Sequence, residues 1–534
     1  MCAPALNFVF PSLPSAKNRQ NRPITASIVA QFFQPSCRFH IHQELPTPSF
    51  GGCLAHRPGE RSLFWMRSLV VALFFVAVLA LDPDCSRNIT QIIEARGFRA
   101  EAHQVQTEDG YILTLFRIPA RKQGAPVVLL QHGVLDSSVT WFINGEIDQS
   151  LAFILANEGF DVWMGNNRGN RYSKQHITLN PKDEAFWKWT ADDMAKYDLP
   201  AMFSLIEKET GVQKLLYVGH SQGTQQMFMR LAMELSGRYP TIIGNRLAAF
   251  AGLGPVTSVA HLQNEAVKVV IDAHGFELAR DLKLWNFMPN SATLAKLFPL
   301  ACTKIPGVCD GVVEFICGWD KGRMNDSRME VMAAQEPGPS HPSPSALFPT
   351  PDLFPTPDLF PTPDLFPTPD LFPTPDLFPI PETLHDPLSG RSAHCSARST
   401  GCGGRAGGVS IFDLCHWSQM YRAKEWRAFD WGPAENKIRY GQAEAPLYPR
   451  GALGKLDTSR VPVALFSGTA DVLADETDVA LLIKDLPRDV TVVDIQGYAH
   501  LDYAWATDAN RLIYPQLVHF LHAAHAAAAA PQTR

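Results

Sequence analysis

The chain is 534 residues long, 46% hydrophobic and 19% charged, with a formal net charge of −6. Those values are ordinary for a globular protein, the length allows about two to four domains, and nothing in the charge suggests a nucleic-acid partner. Its 42 prolines matter for where they fall rather than for their number.

Residues 1–65 show no hydrophobic period and carry six Lys/Arg against two acids. Met66-Arg67-Ser68 then leads into thirteen unbroken apolar residues, Leu69 to Leu81. That run is short for a bilayer span and fits the apolar region of a secretory signal peptide, with small residues near Ala80 for cleavage. A signal peptide belongs at a terminus, so residues 66–81 are expected to be the signal and 1–65 an upstream over-extension. A basic transit-like leader is the alternative. The sequons Asn88-Ile89-Thr90 and Asn325-Asp326-Ser327 are candidate glycosylation sites on the same route. Of ten cysteines, Cys302 and Cys309 are the first candidates for a disulfide, with Cys317 close by; buried thiols are the alternative.

From His103 to Ile118 the pattern reads as two strands joined by the turn dipeptide Asp109-Gly110. Short apolar runs then alternate with helical stretches. Val127–Leu130, Asp161–Met164, Leu215–Val218, Leu247–Leu253, Val463–Phe466 and Val490–Ile495 read as strands. Leu151–Asn157 and Asp192–Lys208 read as helices. Continuous apolar strands separated by helices predict a parallel sheet covered on both faces. In such a sheet chemistry sits at the C-terminal strand ends.

Those ends carry reactive groups. Leu215–Val218 runs into Gly219-His220-Ser221-Gln222-Gly223, followed by the helical apolar spacing of Met227, Leu231 and Leu235. A G-x-S-x-G between strand and helix is a nucleophile elbow, although a serine between two turn glycines would read the same out of context. Val463–Phe466 is followed by Asp471, and Val490–Ile495 by His500. The order Ser, Asp, His is that of α/β-hydrolases among serine hydrolases. Ser221 is therefore the expected nucleophile, His500 its base and Asp471 the group that orients the base. The loop Gln131-His132-Gly133-Val134 offers the Val134 N–H as one oxyanion donor, with the Gln222 N–H as the other. His132 and His220 are expected to shape loops, Asp502 to be structural, and Asp475 and Asp478 to be solvated helix residues.

Longer stretches sharpen this. HGVLDSS at His132–Ser138, SLAFILANEGFDVWMGNNRGN at Ser150–Asn170, MAKYDLPA at Met194–Ala201 and GHSQGT at Gly219–Thr224 resemble the acid lipases. So do LADETDVALL at Leu473–Leu482 and HLDYAWA at His500–Ala506. The resemblance to this family, that of gastric and lysosomal acid lipases, extends over most of residues 85–525. It implies an α/β-hydrolase fold with a helical cap and lid inserted between the sixth strand and the strand carrying the catalytic Asp. It also implies a cofactor-free serine lipase acting on triacylglycerols or steryl esters at an oil–water or membrane interface. No metal, nucleic acid or obligate protein partner is expected. Ser221, Asp471 and His500 match the family's triad, and Val134 and Gln222 its oxyanion positions. Cys302 and Cys309 resemble its cap disulfide, with a shorter spacing. A soluble carboxylesterase for shorter acyl esters is the alternative enzyme. A catalytically silent hydrolase-fold interaction protein is the alternative outside enzymes.

The expected division is a core at 82–256, a cap at 257–458 and the rest of the core at 459–534. Leu284, Trp285, Phe287, Met288, Leu297 and Phe298 cluster beside prolines in the cap, which reads equally as ordinary core packing or as a lipid-facing lid, and the resemblance favours the lid. From Leu347 to Asp376 the hexapeptide Leu-Phe-Pro-Thr-Pro-Asp repeats five times. Two prolines in six residues exclude helix and central strand. Residues of about 338–407 read as an insertion into the cap. Loop-closure cost grows only logarithmically, so the core is expected to tolerate it at about 2 kcal/mol or less if it emerges at the surface. His394, Cys395 and Cys402 within it make a poor metal site, and the route overall is the secretory pathway, outward or to a lysosome or vacuole.

Overall fold

In the computed structural model the described residues are 82–287, 322–325, 328, 331, 335 and 408–529. The leader, the signal run, Cys302, Cys309, Cys317, Met288, Leu297, Phe298 and the insertion at about 338–407 lie outside them.

The hairpin forms where its turn dipeptide puts it. Strands β1 (Glu101–Gln106) and β2 (Tyr111–Ile118) pair antiparallel, with Gln106 opposite Ile112, and Gly110 turns the corner at φ 94°. The sheet continues with β3 (Val127–Gln131), β4 (Asp161–Met164), the two-residue β5 (Gln175–His176), β6 (Leu215–His220) and β7 (Leu247–Leu253). After the short pair β8 (Asn286–Phe287) and β9 (Val409–Ser410), it is completed by β10 (Val463–Gly468) and β11 (Thr491–Ile495). Among the described residues the order is β1-β2-β4-β3-β6-β7-β10-β11, with β5 on β2. Along that order every pairing after β2-β4 is parallel.

The apolar runs are continuous because both faces are covered. Val127, Leu129, Tyr217, Phe250 and Leu465 point into one apolar layer. Their neighbours Val128, Leu130, Val218, Ala251 and Phe466 point into the other. Helices α1 (Leu151–Asn157), α2 (Leu199–Thr210), α3 (Gln222–Leu235), α4 (Ile411–Ala423) and α5 (Tyr514–Ala529) supply the cover. The first layer takes residues of α2, α3 and α4, the second those of α1 and α5.

The stretch read as one helix over 192–208 is three pieces: a short turn at Ala191–Asp193, a π-turn at Met194–Asp198, then α2. Pro200 is one cause. It has no N–H to donate to Lys196, whose carbonyl accepts instead from Arg230 Nη1 at 3.4 Å. The widened turn also carries Asp198, fully buried, to Arg168, which lies 2.8 Å from it through Nε. Arg168 in turn grips Asp109 at 2.6 Å, so the GNNRGN loop is tied to both the hairpin turn and the π-turn.

Between β7 and β10 the described residues include the helices Glu265–Asp272 and Gly275–Asp281, then α4. The chain leaves at β8 and returns at β9 across an antiparallel ladder, Phe287 opposite Val409. Trp285 stacks on Phe412 with ring centroids 6.1 Å apart, and Phe287 meets Phe276 edge-on at 5.9 Å. Both rings are half-buried against these partners, whereas Leu284 is 57% exposed.

Candidate active site

Ser221 stands at the corner between β6 and α3 with φ 54° and ψ −119°, a left-handed conformation that a side chain adopts at a cost of about 1–3 kcal/mol. The elbow closes so tightly that its glycines are obligatory. A Cβ on Gly223 would lie 2.3 Å from the Gln131 carbonyl oxygen, and one on Gly219 2.7 Å from the Gly223 backbone.

The structure brings the three predicted residues together from three strand ends. Ser221 Oγ lies 2.7 Å from His500 Nε2. His500 Nδ1 lies 2.9 Å from both Asp471 carboxylate oxygens. All three are buried. With Nδ1–H donating to Asp471, the other nitrogen is left as an acceptor for the serine hydroxyl. Burial favours the protonated form of Asp471, but His500 and the N–H groups of Leu473 and Ala474 outweigh it and hold the carboxyl below the usual carboxylate range.

The two predicted oxyanion donors are fixed through their partner carbonyls. A trans peptide points its N–H opposite to its C=O. The Ser221 carbonyl accepts from Thr224 N at 2.8 Å, Gln225 N at 3.1 Å and Thr224 Oγ1 at 2.6 Å. The Gln222 N–H of the same peptide therefore faces away from α3. The Gly133 carbonyl lies 2.8 Å from His132 Nδ1, which turns the Val134 N–H the opposite way. A Cβ on Gly133 would lie 3.5 Å from Ser221 Oγ, so this loop passes directly over that serine. The next residue, Leu135, also has a positive φ of 60°, which bends the loop there.

His132 and His220 sit beside the site. His132 Nε2 accepts from Asn167 N at 3.1 Å and is 3.2 Å from Asn170 Nδ2, and burial pushes its pKa down to about 4. His220 Nε2 lies 2.7 Å from the His500 carbonyl oxygen. Burial, aided by the neighbouring His500, pushes its pKa down to about 3. Asp502 accepts from Ala499 N at 2.8 Å, a structural contact inside the histidine loop.

Two readings need correction. Asp475 and Asp478 are buried, not solvated. Asp475 caps the helix Glu476–Asp485 through Thr477 N at 2.8 Å. Asp478 binds His261 through its N–H at 2.8 Å and Nδ1 at 2.9 Å. The partner comes from the far side of the cap, which local spacing does not reveal.

Tyr503 was not anticipated. Its hydroxyl accepts from Gly468 N at 2.6 Å and lies 3.3 Å from Asp471 Oδ2, joining the end of β10 to the carboxylate. The Asn166, Asn167 and Asn170 cluster that braces His132 was also missed. Three asparagines at the C-terminal end of a buried parallel strand were the available signal. Of the sequon residues, Asn88 caps the helix Ile89–Glu94, its Oδ1 accepting from Gln91 N at 2.9 Å and from Thr90 Oγ1 at 2.8 Å. Asn325 accepts from Arg328 N through its carbonyl. No group of three or more His, Cys, Asp or Glu among the described residues is placed to hold a metal ion.

A doubly covered parallel sheet, a strained serine at a strand end and a buried His–Asp pair beside it define an α/β-hydrolase. Comparison with known proteins agrees. Residues 89–145 match the family model described as the partial alpha/beta-hydrolase lipase region, and residues 126–304 that of the alpha/beta hydrolase fold. The chain is 31% identical over 447 residues to the gastric triacylglycerol lipase of Rattus norvegicus, covering 82% of this chain and 92% of that protein. It is 33% identical over 453 residues to the lysosomal acid lipase/cholesteryl ester hydrolase of Homo sapiens, covering 83% and 92%. The gastric triacylglycerol lipase of Bos taurus is 30% identical over 457 residues, covering 84% and 94%. The chain belongs to the gastric and lysosomal acid lipase family, carboxylic ester hydrolases of the α/β-hydrolase fold.

Proposed function

We propose that the chain hydrolyses triacylglycerols and steryl esters through an acyl-enzyme on Ser221. The observation that carries this is the continuous hydrogen-bonded line Ser221–His500–Asp471. As Ser221 Oγ attacks the ester carbonyl, His500 Nε2 takes the hydroxyl proton, and Asp471 stabilises the imidazolium. The carbonyl oxygen becomes an oxyanion between the Val134 and Gln222 N–H groups, each worth roughly 10²–10³ in rate. Collapse breaks the bond to the alcohol, which leaves with the proton from His500. Water then repeats the sequence on the acyl-serine, losing its proton to His500 and releasing the fatty acid.

A lipid surface as the working partner is supported by the cap. Val269, Leu278, Leu282 and Leu284, from its first two helices and the turn after them, are 57–66% exposed, more apolar surface than a stretch facing only water needs. Entry into the secretory pathway rests on the apolar run at 69–81 and the two sequons, and the names of the gastric and lysosomal relatives agree with it. No helix among the described residues is long and apolar enough to cross a membrane.

The test is hydrolysis of emulsified long-chain triacylglycerol and cholesteryl ester between pH 4 and 8, above and below the solubility limit. The expected result is a rate increase above that limit, abolished in Ser221→Ala. Hydrolysis confined to dissolved short-chain esters would make the chain a carboxylesterase instead.

A further inference from the structure

The cap sends one carboxylate into the catalytic core. Asp413 lies on the first turn of α4 and its side chain is fully buried. Oδ2 accepts from Gln222 Nε2 at 2.6 Å and Oδ1 from Ala191 N at 2.7 Å. It thus joins three segments distant in sequence: the cap helix, the turn before the π-turn, and the residue following the nucleophile. A buried carboxylate is costly unless its oxygens are taken up, and here each has a donor. Gln222 is 1% exposed, so its amide has no solvent to turn to if Asp413 is removed. From these contacts we infer that Asp413 is a positioning residue, coupling the cap to the oxyanion hole by holding the side chain of Gln222.

The inference rests on the proposed function, with Ser221 as the nucleophile and the Gln222 N–H as an oxyanion donor. The peptide bearing that N–H is held from within α3 through the Ser221 carbonyl, and the Gln222 side chain adds a second anchor from the cap side. A freed, buried carboxamide seeks other partners within the core, and the residue that carries it is the one whose N–H follows Ser221. The charge state of the contact matters less than its geometry. Burial pushes Asp413 up to about 6 against the Gln222 hydrogen bond and His416, with Asp192 adding to the rise. Either form can bond a glutamine amide, because the amide can turn to offer its oxygen.

Asparagine is therefore the informative substitution. In Asp413→Asn the new oxygen can accept from Ala191 N while the new amide donates to a turned Gln222. Steady-state kinetics on p-nitrophenyl butyrate, a soluble ester that needs no interface, separate the cases. Asp413→Ala is expected to lower kcat about tenfold with KM little changed, and Asp413→Asn to stay within about threefold of wild type. Gln222→Ala is expected to match Asp413→Ala, and the double variant to lose nothing further, as residues acting through one contact do. If Asp413→Ala does not fold, Gln222→Ala and Asp413→Asn decide by the same readout. Unchanged kcat in Gln222→Ala, or losses that multiply in the double variant, would overturn the coupling. Failure of the underlying assignment shows separately, as a wild-type enzyme that a fluorophosphonate does not label at Ser221.

Discussion

His220 Nε2 and the backbone carbonyl oxygen of His500 are 2.7 Å apart. The residue before Ser221 thus holds the backbone of His500. With Nε2–H donating, His220 Nδ1 is the unprotonated nitrogen, and a pKa depressed to about 3 by burial and by His500 keeps the ring in that neutral form. The elbow and the histidine loop are locked by one bond, independent of the Asp471 contact.

His220→Ala is expected to leave Ser221 and Asp471 in place while the His500 loop loosens. The expected outcome is a fall in kcat of about tenfold with KM nearly constant, since the loss is confined to the transition state. Steady-state rates on a soluble ester check this, and a kcat equal to wild type would show that the bond is dispensable.

His132 acts on the other side of the site. Its Nδ1–H fixes the Gly133 carbonyl and, through the peptide, the direction of the Val134 N–H. His132→Ala frees that peptide to rotate and is expected to cost about 10²-fold in kcat, the value of one oxyanion donor. His132→Asn restores a donor near the same carbonyl and should recover part of the loss. Equal activity of the alanine and asparagine variants would argue against the peptide lock.

Acid stability divides into two windows. His132 and His220 are held neutral by burial, down to about 4 and about 3. The unfolded chain binds protons at these residues below the ordinary value of 6.5 and the folded chain does not. Their contribution is therefore complete above pH 6.5 and declines as pH falls toward the depressed values. A melting series should show the unfolding temperature falling over that interval, less steeply in His132→Asn.

Asp84 works in a lower window. It is fully buried and bound to Arg87 at 2.9 Å, to Arg328 at 2.8 Å and to Arg96 at 2.8 Å. Burial opposes its ionisation, but the three guanidinium groups prevail and bring its pKa down to about 2. Its contribution, about 2 kcal/mol for a shift of that size, is present above the ordinary value of 3.8 and lost only as pH falls through about 2. Asp84→Asn should lower the melting temperature at pH 4–7 and narrow its difference from wild type toward pH 2. A difference that stays constant with pH would contradict the ionic origin.

The sheet was legible because its strands are buried on both faces, so Val127–Leu130 and Leu215–Val218 stand out as unbroken apolar runs. The meeting of Ser221, His500 and Asp471 was legible because a parallel sheet places reactive groups at strand ends in a fixed order. Contacts made across the cap were not. Asp478 meets His261 and Gln222 meets Asp413 over separations of 217 and 191 residues, which no local period encodes. The π-turn before α2 escaped because apolar spacing averages over one extra residue, although Pro200 marked the place.

The central claim is that Ser221 is the nucleophile activated by His500. Its most direct test is covalent labelling with a fluorophosphonate, followed by peptide mass spectrometry of the modified protein. The account predicts a single modified serine, Ser221, with labelling lost in His500→Ala and in Ser221→Ala. Modification of another serine in the folded protein, or labelling undiminished without His500, would contradict it.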